Sequence, residues 1–225
     1  AGSFENPRLK GEVTATHLRL NDVPFDDSSL KLNIQDHMAR ITGDMIADLD
    51  GWFNLANHTF SAKARLHDTR LAPFFNMTGR GDLTGTVTGL IEAEGNAASP
   101  DNIRALAEIS QLSVSRNGVE LVSAGTVNAS LNKGDISLTD MRITLLDRGH
   151  LHISGEIKRN GSMDVKADGT MPLEVVMLVT DDLSDTTGQV KLAAHLKGTL
   201  DQPDLGAEIT LDRLGFTLPV IDQKF

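Results

Sequence analysis

Two histidines, His150 and His152, are separated by a single residue. On a β-strand this spacing would put both imidazoles on one face, where they could bind a metal ion. No third ligand accompanies them, and the neighbouring apolar residues Leu151 and Ile153 place the histidines on the opposite, water-facing side. Since a zinc site needs three or four protein ligands, the sequence predicts a solvated polar face and no metal site. His195 lies in the polar register of its own segment and is interpreted in the same way.

Two other segments resemble binding loops in their letters only. Residues 181–185 (DDLSD) are acidic but lack the alternating ligands, the central Gly and the terminal Glu of a calcium loop. Residues 79–85 (GRGDLTG) are rich in Gly but precede a predicted strand, whereas a phosphate-binding loop opens a helix. We interpret both segments as connections between elements of secondary structure.

Nothing in the sequence supports catalysis directly. Glu92 and Glu94 share one face of a predicted strand, but that face is the polar one. The chain contains no Cys, no nucleophile elbow and no H-E-x-x-H motif. The sequence therefore predicts a protein that is not an enzyme and uses no cofactor. A hydrolase stays open as a third alternative, because catalytic pairs can lie far apart along a chain.

Composition counts against nucleic acid as a partner. The 225 residues carry a net charge of −10, whereas a surface that binds nucleic acid needs clustered basic residues. Aromatic residues make up 4% of the chain, which also counts against a protein that stacks on bases or sugars. The absence of Cys excludes a disulfide framework, and no signal peptide or long apolar run is present.

An internal repeat organises the chain. Gly85 and Gly188 are 103 residues apart, as are Pro100 and Pro203, and each pair opens a similar segment. A shorter copy begins at Pro7. This repeat predicts one continuous structural domain, composed of a tag or linker at 1–6, a first β-repeat unit at 7–99, a second at 100–202, and the start of a third at 203–225.

Within the units, apolar and polar residues alternate with a period of two, as in Val190–Lys197 (VKLAAHLK). Such strands form antiparallel sheets with one wet face. Turn sequences such as Asn117-Gly118 recur at hairpin spacing. The alternation breaks at 71–77 (LAPFFNM) and 173–179 (LEVVMLV), where a short helix or a buried crossover is expected. The predicted fold is all-β: an elongated, curved antiparallel sheet with one or two short helices.

The apolar register is composed of small and medium side chains, which are Val, Ala, Gly, Ile, Leu and Met. This composition fits a groove that holds something apolar, and the alternative is a closed β-sandwich in which the same faces cover one another. The nine residues predicted to line the groove are Val87, Ile91, Ile153, Ile157, Val165, Val190, Leu192, Leu196 and Ile209.

Both copies of the repeat carry motifs that resemble a known family. The first copy contains LAPFF from Leu71, LTGTV from Leu83 and Pro100, and the second contains PLEVV from Pro172, TGQV from Thr187 and LKGTLDQP from Leu196. Residues 196–211 (LKGTLDQPDLGAEITL) are the most specific piece. This arrangement resembles the AsmA-like superfamily, and most closely its TamB-type members (translocation and assembly module inner-membrane subunit). In the first copy, EGNA at 94–97 departs from the family's K-G-T-L wording.

The resemblance implies a U-shaped sheet, or β-taco, with an apolar interior groove. It implies a periplasmic segment of a protein anchored in the inner membrane of a Gram-negative bacterium, which bridges to the outer membrane. The expected partners are phospholipid acyl chains and an outer-membrane assembly protein, and the expected role is lipid transport in outer-membrane biogenesis. The alternative from another class is an extracytoplasmic scaffold or adhesion β module without lipid.

Overall fold

The computed structural model describes residues 7–16, 19–20, 23–24, 27–178, 184–218 and 223–224. The first unit contains β1 (Leu9–Ala15), β2 (Arg19–Leu20), β3 (Val23–Pro24), β4 (Ser28–Gln35), β5 (Met38–Asp44), β6 (Asp48–Asn54), β7 (Thr59–Arg70), α1 (Ala72–Met77) and β8 (Leu83–Asn96). The remainder contains β9 (Ser99–Arg116), β10 (Val119–Ala124), β11 (Val127–Asn132), β12 (Asp135–Leu145), β13 (Gly149–Ile157), β14 (Ser162–Pro172), a 3₁₀ helix (Leu173–Leu178), β15 (Ser184–Thr199), β16 (Pro203–Leu218) and β17 (Gln223–Lys224).

Fifteen of the strands form one antiparallel sheet, and β2 and β3 form a separate two-stranded ribbon. From β4 onwards each strand of the large sheet pairs with the next strand in sequence, except that β10 and β11 do not pair with each other and both lie between β9 and β12. The long β9 pairs end to end with β10 and β11, so that these two act as a single interrupted strand against it. The ladder crosses the predicted unit boundaries without a break, because β8 pairs with β9 and β15 with β16. The prediction of an all-β protein built from one elongated antiparallel sheet is confirmed.

Three irregularities in the pairing keep the apolar residues on one face. In β9 the register shifts opposite the Thr88/Gly89 step, and in β12 it shifts between Leu138 and Met141. A matching shift lies in β7, after Leu66. A bulge adds one unpaired residue, which reverses the alternation of a strand along its length. As a result, side chains three residues apart in sequence, such as Leu138 and Met141, point to the same side of the sheet.

Both predicted helices are present, and they occupy equivalent places in the two units. α1 and the 3₁₀ helix each lie just before the strand that carries the G-x-V motif. Pro73 within α1 is buried, while Phe74 and Met77 are 42% and 56% exposed. The strands after the helices begin earlier than the sequence predicts, at Leu83 and Ser184 in place of Gly85 and Gly188. Leu83 and Thr84 belong to β8 because they pair with Arg116 and Ser115 of β9.

The large sheet is not folded into a closed core. The accessible surface of the chain is 14127 Å², whereas a compact monomer of this mass would expose about 10,000 Å². Within the described residues no large side chain is fully buried, and only six hydrophobic residues fall into the buried class. In a β-sandwich the inward side chains would interdigitate with a second layer and lose most of their exposure. The burial therefore favours an open face over the sandwich alternative.

Candidate functional site

One face of the large sheet is apolar from edge to edge, and we call it the apolar face. Residues that pair directly across an antiparallel ladder point to the same side. The register can therefore be followed from strand to strand across the second half of the sheet. One row of such pairs is Val87, Leu112, Ala124, Ile143, Leu151, Gly169, Leu192 and Ile209. A second row is Ile91, Ala107, Ala129, Leu138, Gly155, Val165, Leu196 and Leu205.

All nine residues predicted to line a groove lie on this one face. Six of them, which are Val87, Ile91, Val165, Leu192, Leu196 and Ile209, belong to the two rows given above. Of the remaining three, Ile153 pairs with Met141 and Ala167, Ile157 pairs with Ile136 and Met163, and Val190 pairs with Met171 and Leu211. The sequence period thus gave the correct side for every one of them. Their role as a lining for lipid stays a prediction.

The first unit contributes to the same face. Ile91 pairs through Ala64 with Leu49, and this row continues through Gly43 and Leu30 to Val13. The neighbouring row contains Ile41 and Leu32. None of these first-unit strand residues before Val87 was among the predicted lining. Their signal was present in the alternation of Leu30, Leu32 and Ile34, which is the same period-two pattern.

The exposure of the apolar face varies from one end to the other. The end that carries the two short helices holds most of the buried hydrophobic side chains, including Leu83, Leu121, Leu145 and Val190 at 5–8% exposed. Towards the free edge, Leu205 is 66% and Ile209 58% exposed on β16. The face is therefore closed at the helical end and open along the rest, within the described residues.

Glycines on the apolar face mark places where strands approach unusually closely. A Cβ built on Gly155 (φ +151°) would lie 2.6 Å from the Cα of Val165 on the next strand. A Cβ on Gly89 would lie 2.6 Å from the carbonyl oxygen of Glu108. Gly155 pairs with Leu138 at the bulge of β12, and Gly89 adjoins the bulge of β9. Glycine inside a strand commonly accompanies a bulge or a tight bend, so these positions set the local bending of the sheet.

The opposite face, which we call the polar face, carries the charged residues in cross-strand pairs. Lys63 forms an ion pair with Glu92, and His195 Nε2 lies 2.8 Å from Asp164 Oδ1. The hydrogen bond with His195 is the main cause that lowers the pKa of Asp164. His150 and His152 lie on this face as predicted, and His152 Nδ1 lies 3.6 Å from Asp168. These contacts are typical of a solvated surface.

The two faces differ in what they offer a ligand. Among the described residues no group of three His, Asp or Glu side chains could hold a metal ion. In the same part of the chain, no helix is long and apolar enough to cross a bilayer. Away from the helical end the apolar face offers an uncovered hydrocarbon surface, while at that end Arg116 lies opposite Leu83 and forms an ion pair with Asp82. No protein-family model, curated protein or solved structure matches the chain.

Proposed function

We propose that the apolar face binds the acyl chains of lipids. The observation that carries this proposal is the continuity of the face: a single register of aliphatic side chains and glycines extends from Val13 on β1 to Leu205 on β16. A soluble monomer rarely leaves such a surface uncovered unless the surface binds something. Fifteen large hydrophobic residues of the described chain are exposed, and nine of them lie on this face: Leu9, Val13, Ile41, Ile91, Val119, Ile136, Leu205, Ile209 and Leu211.

The energetics favour long aliphatic ligands. Each methylene that leaves water contributes about 0.8 kcal/mol, so about ten methylenes lying on the face would contribute about 8 kcal/mol before the cost of ordering the chain. Along the rows from Val13 to Leu205 and from Val87 to Ile209 the face supplies aliphatic side chains and glycines, so recognition of this kind would depend on chain length more than on identity. A lipid headgroup at the edge of the apolar face would remain in water.

In physiological terms, we propose that the chain is a periplasmic segment of an AsmA-like, TamB-type bridge protein. Its role would be to hold phospholipid acyl chains during transport between the inner and outer membranes. Support comes from the repeat motifs, from the elongated sheet and from the open apolar face. An outer-membrane assembly protein is the proposed protein partner. The proposal describes a non-enzymatic role and requires no cofactor.

The decisive experiment compares two aspartate substitutions on adjacent residues of β15. Leu192 lies on the apolar face and is half-buried, whereas Lys191 is exposed on the polar face. We expect Leu192→Asp to weaken binding of a fluorescent long-chain fatty acid at least about ten-fold, because an unpaired carboxylate would have to be desolvated against hydrocarbon. Lys191→Asp adds negative charge at the neighbouring position and should leave binding within about two-fold.

Native mass spectrometry of the purified protein provides the second measurement. The wild type and Lys191→Asp should carry phospholipid, and Leu192→Asp should lose it. Equal lipid retention by both variants, or a wild type that binds neither phospholipid nor the fatty acid, would refute the proposal. A lipid-free protein that still binds a protein partner after Leu192→Asp would support the scaffold alternative.

A further inference from the structure

The polar face contains a trough around the single Trp of the chain. Trp52 on β6 pairs with Ser61, Ser61 with Glu94, Glu94 with Arg104, and Arg104 with Asn132. These five side chains therefore form one row across five strands. Two adjoining cavities, of about 450 and 530 Å³, lie along this row and share Ser61, Glu94 and Arg104 in their lining. Their volumes fall within the usual range of small-molecule sites.

Three charged side chains of the trough have no hydrogen-bond or ion-pair partner among the described residues. Glu94 and Arg104 are directly opposite each other on β8 and β9, yet they form no ion pair within the described residues. Lys133, which lines the cavity beside Trp52, also lacks an ion pair or side-chain hydrogen bond in the part of the chain that the structure describes. Neighbouring charges do pair, as Lys63 does with Glu92.

We propose that this trough binds a short carboxylated oligosaccharide. The unpaired groups include both donors and an acceptor, and sugar hydroxyls can satisfy both because each hydroxyl donates and accepts. The indole of Trp52 offers an apolar ring surface with a polar edge, on which the C–H face of a sugar ring can stack. Asn102 and Asn132 add amide groups to the lining.

The charge balance selects an acidic sugar. The two unpaired cations, Arg104 and Lys133, outnumber the one unpaired anion, Glu94, although the whole chain has a net charge of −10. A guanidinium binds a carboxylate through two parallel hydrogen bonds. An acidic sugar can place its carboxylate on Arg104 and donate to Glu94 from a separate hydroxyl, whereas inorganic phosphate is a single compact anion that cannot reach the separate groups of the row at once.

The length of the row limits the size of the ligand. Trp52 and Arg104 are three strand spacings apart, which at about 4.8 Å per spacing is about 14 Å. This span matches a short oligosaccharide better than a monosaccharide. The trough is on the opposite face from the proposed lipid-binding surface, so the two sites would act independently.

The chain provides its own reporter for the test. Trp52 is the only Trp and no Tyr is present, so intrinsic tryptophan fluorescence reports on the trough. Titration with trigalacturonate at low ionic strength should give a saturable change in Trp52 emission, at least about ten-fold tighter than with neutral maltotriose, as expected for a hydrogen bond to a charged group. Inorganic phosphate at the same concentration should give no saturable change.

Variants locate the site. We expect Arg104→Ala to weaken trigalacturonate binding at least about ten-fold, and Lys133→Ala to weaken it in the same direction. Lys191→Ala removes an exposed cation of the same face on β15, away from the trough, and should leave binding within about two-fold. Far-ultraviolet circular dichroism confirms that each variant is folded, and calorimetry confirms the affinities.

Three results would overturn the inference. The first is the absence of saturable binding of trigalacturonate by fluorescence and calorimetry. The second is equal affinity for trigalacturonate and maltotriose, or for trigalacturonate and phosphate. The third is unchanged binding in folded Arg104→Ala and Lys133→Ala. Leu192→Asp, on the other face, should bind trigalacturonate normally even where lipid binding is lost, which separates this inference from the proposed function.

Discussion

A glycine on the apolar face gives a quantitative test of how the sheet is bent. Gly155 has φ +151°, and a Cβ added there would lie 2.6 Å from Val165 Cα, closer than real Cβ contacts come. The obstacle is the backbone of β14, which cannot rotate away as a side chain could. Gly155→Ala therefore forces either β13 or β14 to move at a position next to the bulge of β12.

The expected cost follows from two contributions. An unfavourable backbone conformation costs about 1–3 kcal/mol, and forcing an extra methyl group into a packed position costs about 1–3 kcal/mol. We therefore expect Gly155→Ala to lower the free energy of unfolding by about 2–6 kcal/mol. With a urea m-value of about 3 kcal/mol/M, the unfolding midpoint would fall by about 0.7–2 M.

Gly11 provides the matched control for this substitution. It lies on the same face in the edge strand β1, and nothing lies within 4 Å of a Cβ built there. Gly11→Ala should leave the free energy of unfolding unchanged or raise it by up to about 1 kcal/mol, because the unfolded chain becomes less flexible. Urea unfolding followed by far-ultraviolet circular dichroism measures both. Equal midpoints for the two variants would show that Gly155 does not occupy a restricted position.

Two further predictions concern electrostatics and packing. Hydrogen bonding to Arg80 is the main cause that lowers the pKa of Asp82 below 3.8, and the Arg116 guanidinium 2.7 Å away lowers it further. Asp82→Asn should therefore destabilise the protein above pH 4, and the difference from wild type should disappear as the pH falls through the lowered pKa. Thermal unfolding at several pH values measures this difference. Leu145 is 5% exposed, whereas Leu205 is 66% exposed. Leu145→Ala should therefore lower the free energy of unfolding by about 2–5 kcal/mol, and Leu205→Ala should lower it by less than about 0.5 kcal/mol. Urea unfolding measures both changes.

Much of the fold could be predicted because the period-two alternation is a local property of the chain. The side of a strand to which Leu192 or Ile153 points follows from its neighbours in sequence, since successive side chains alternate between faces. The turn sequences indicated hairpin connections between the strands. The two interruptions at 71–77 and 173–179 were predicted to be a short helix or a buried crossover because they break this period, and short helices are found at Ala72–Met77 and Leu173–Leu178.

The bulges in β9 and β12 also leave a signal in the alternation of apolar and polar residues. The apolar residues of β9 change phase between Ile109 and Leu112, and those of β12 change phase between Leu138 and Met141. A strict period of two would place the two halves of each strand on opposite faces. Since a bulge restores the common face, a slip of one residue in the alternation is a sequence signal for a bulge, and it could have predicted both.

The polar trough could not be predicted, because it depends on which strands are neighbours. Trp52, Glu94, Arg104 and Lys133 are spread over 82 positions of sequence and belong to four separate segments. In the sequence Glu94 is simply a polar-face carboxylate and Trp52 an isolated aromatic residue. The register of β6, β7, β8 and β9 brings Trp52, Glu94 and Arg104 into one row, and Lys133 joins them from the turn between β11 and β12.

The sequence by itself determined that the chain forms amphipathic strands, which face of each strand is apolar, and where the helical breaks lie. All of these depend on interactions between residues close together along the chain. Only the tertiary structure decided that the strands join into one sheet, that the apolar face stays open towards β16, and that unpaired charges gather around Trp52. Those properties arise from backbone hydrogen bonds between strands that are distant in sequence. The register of these strand pairs determines which side chains are neighbours and which are exposed, and the local alternation of residues does not specify that register.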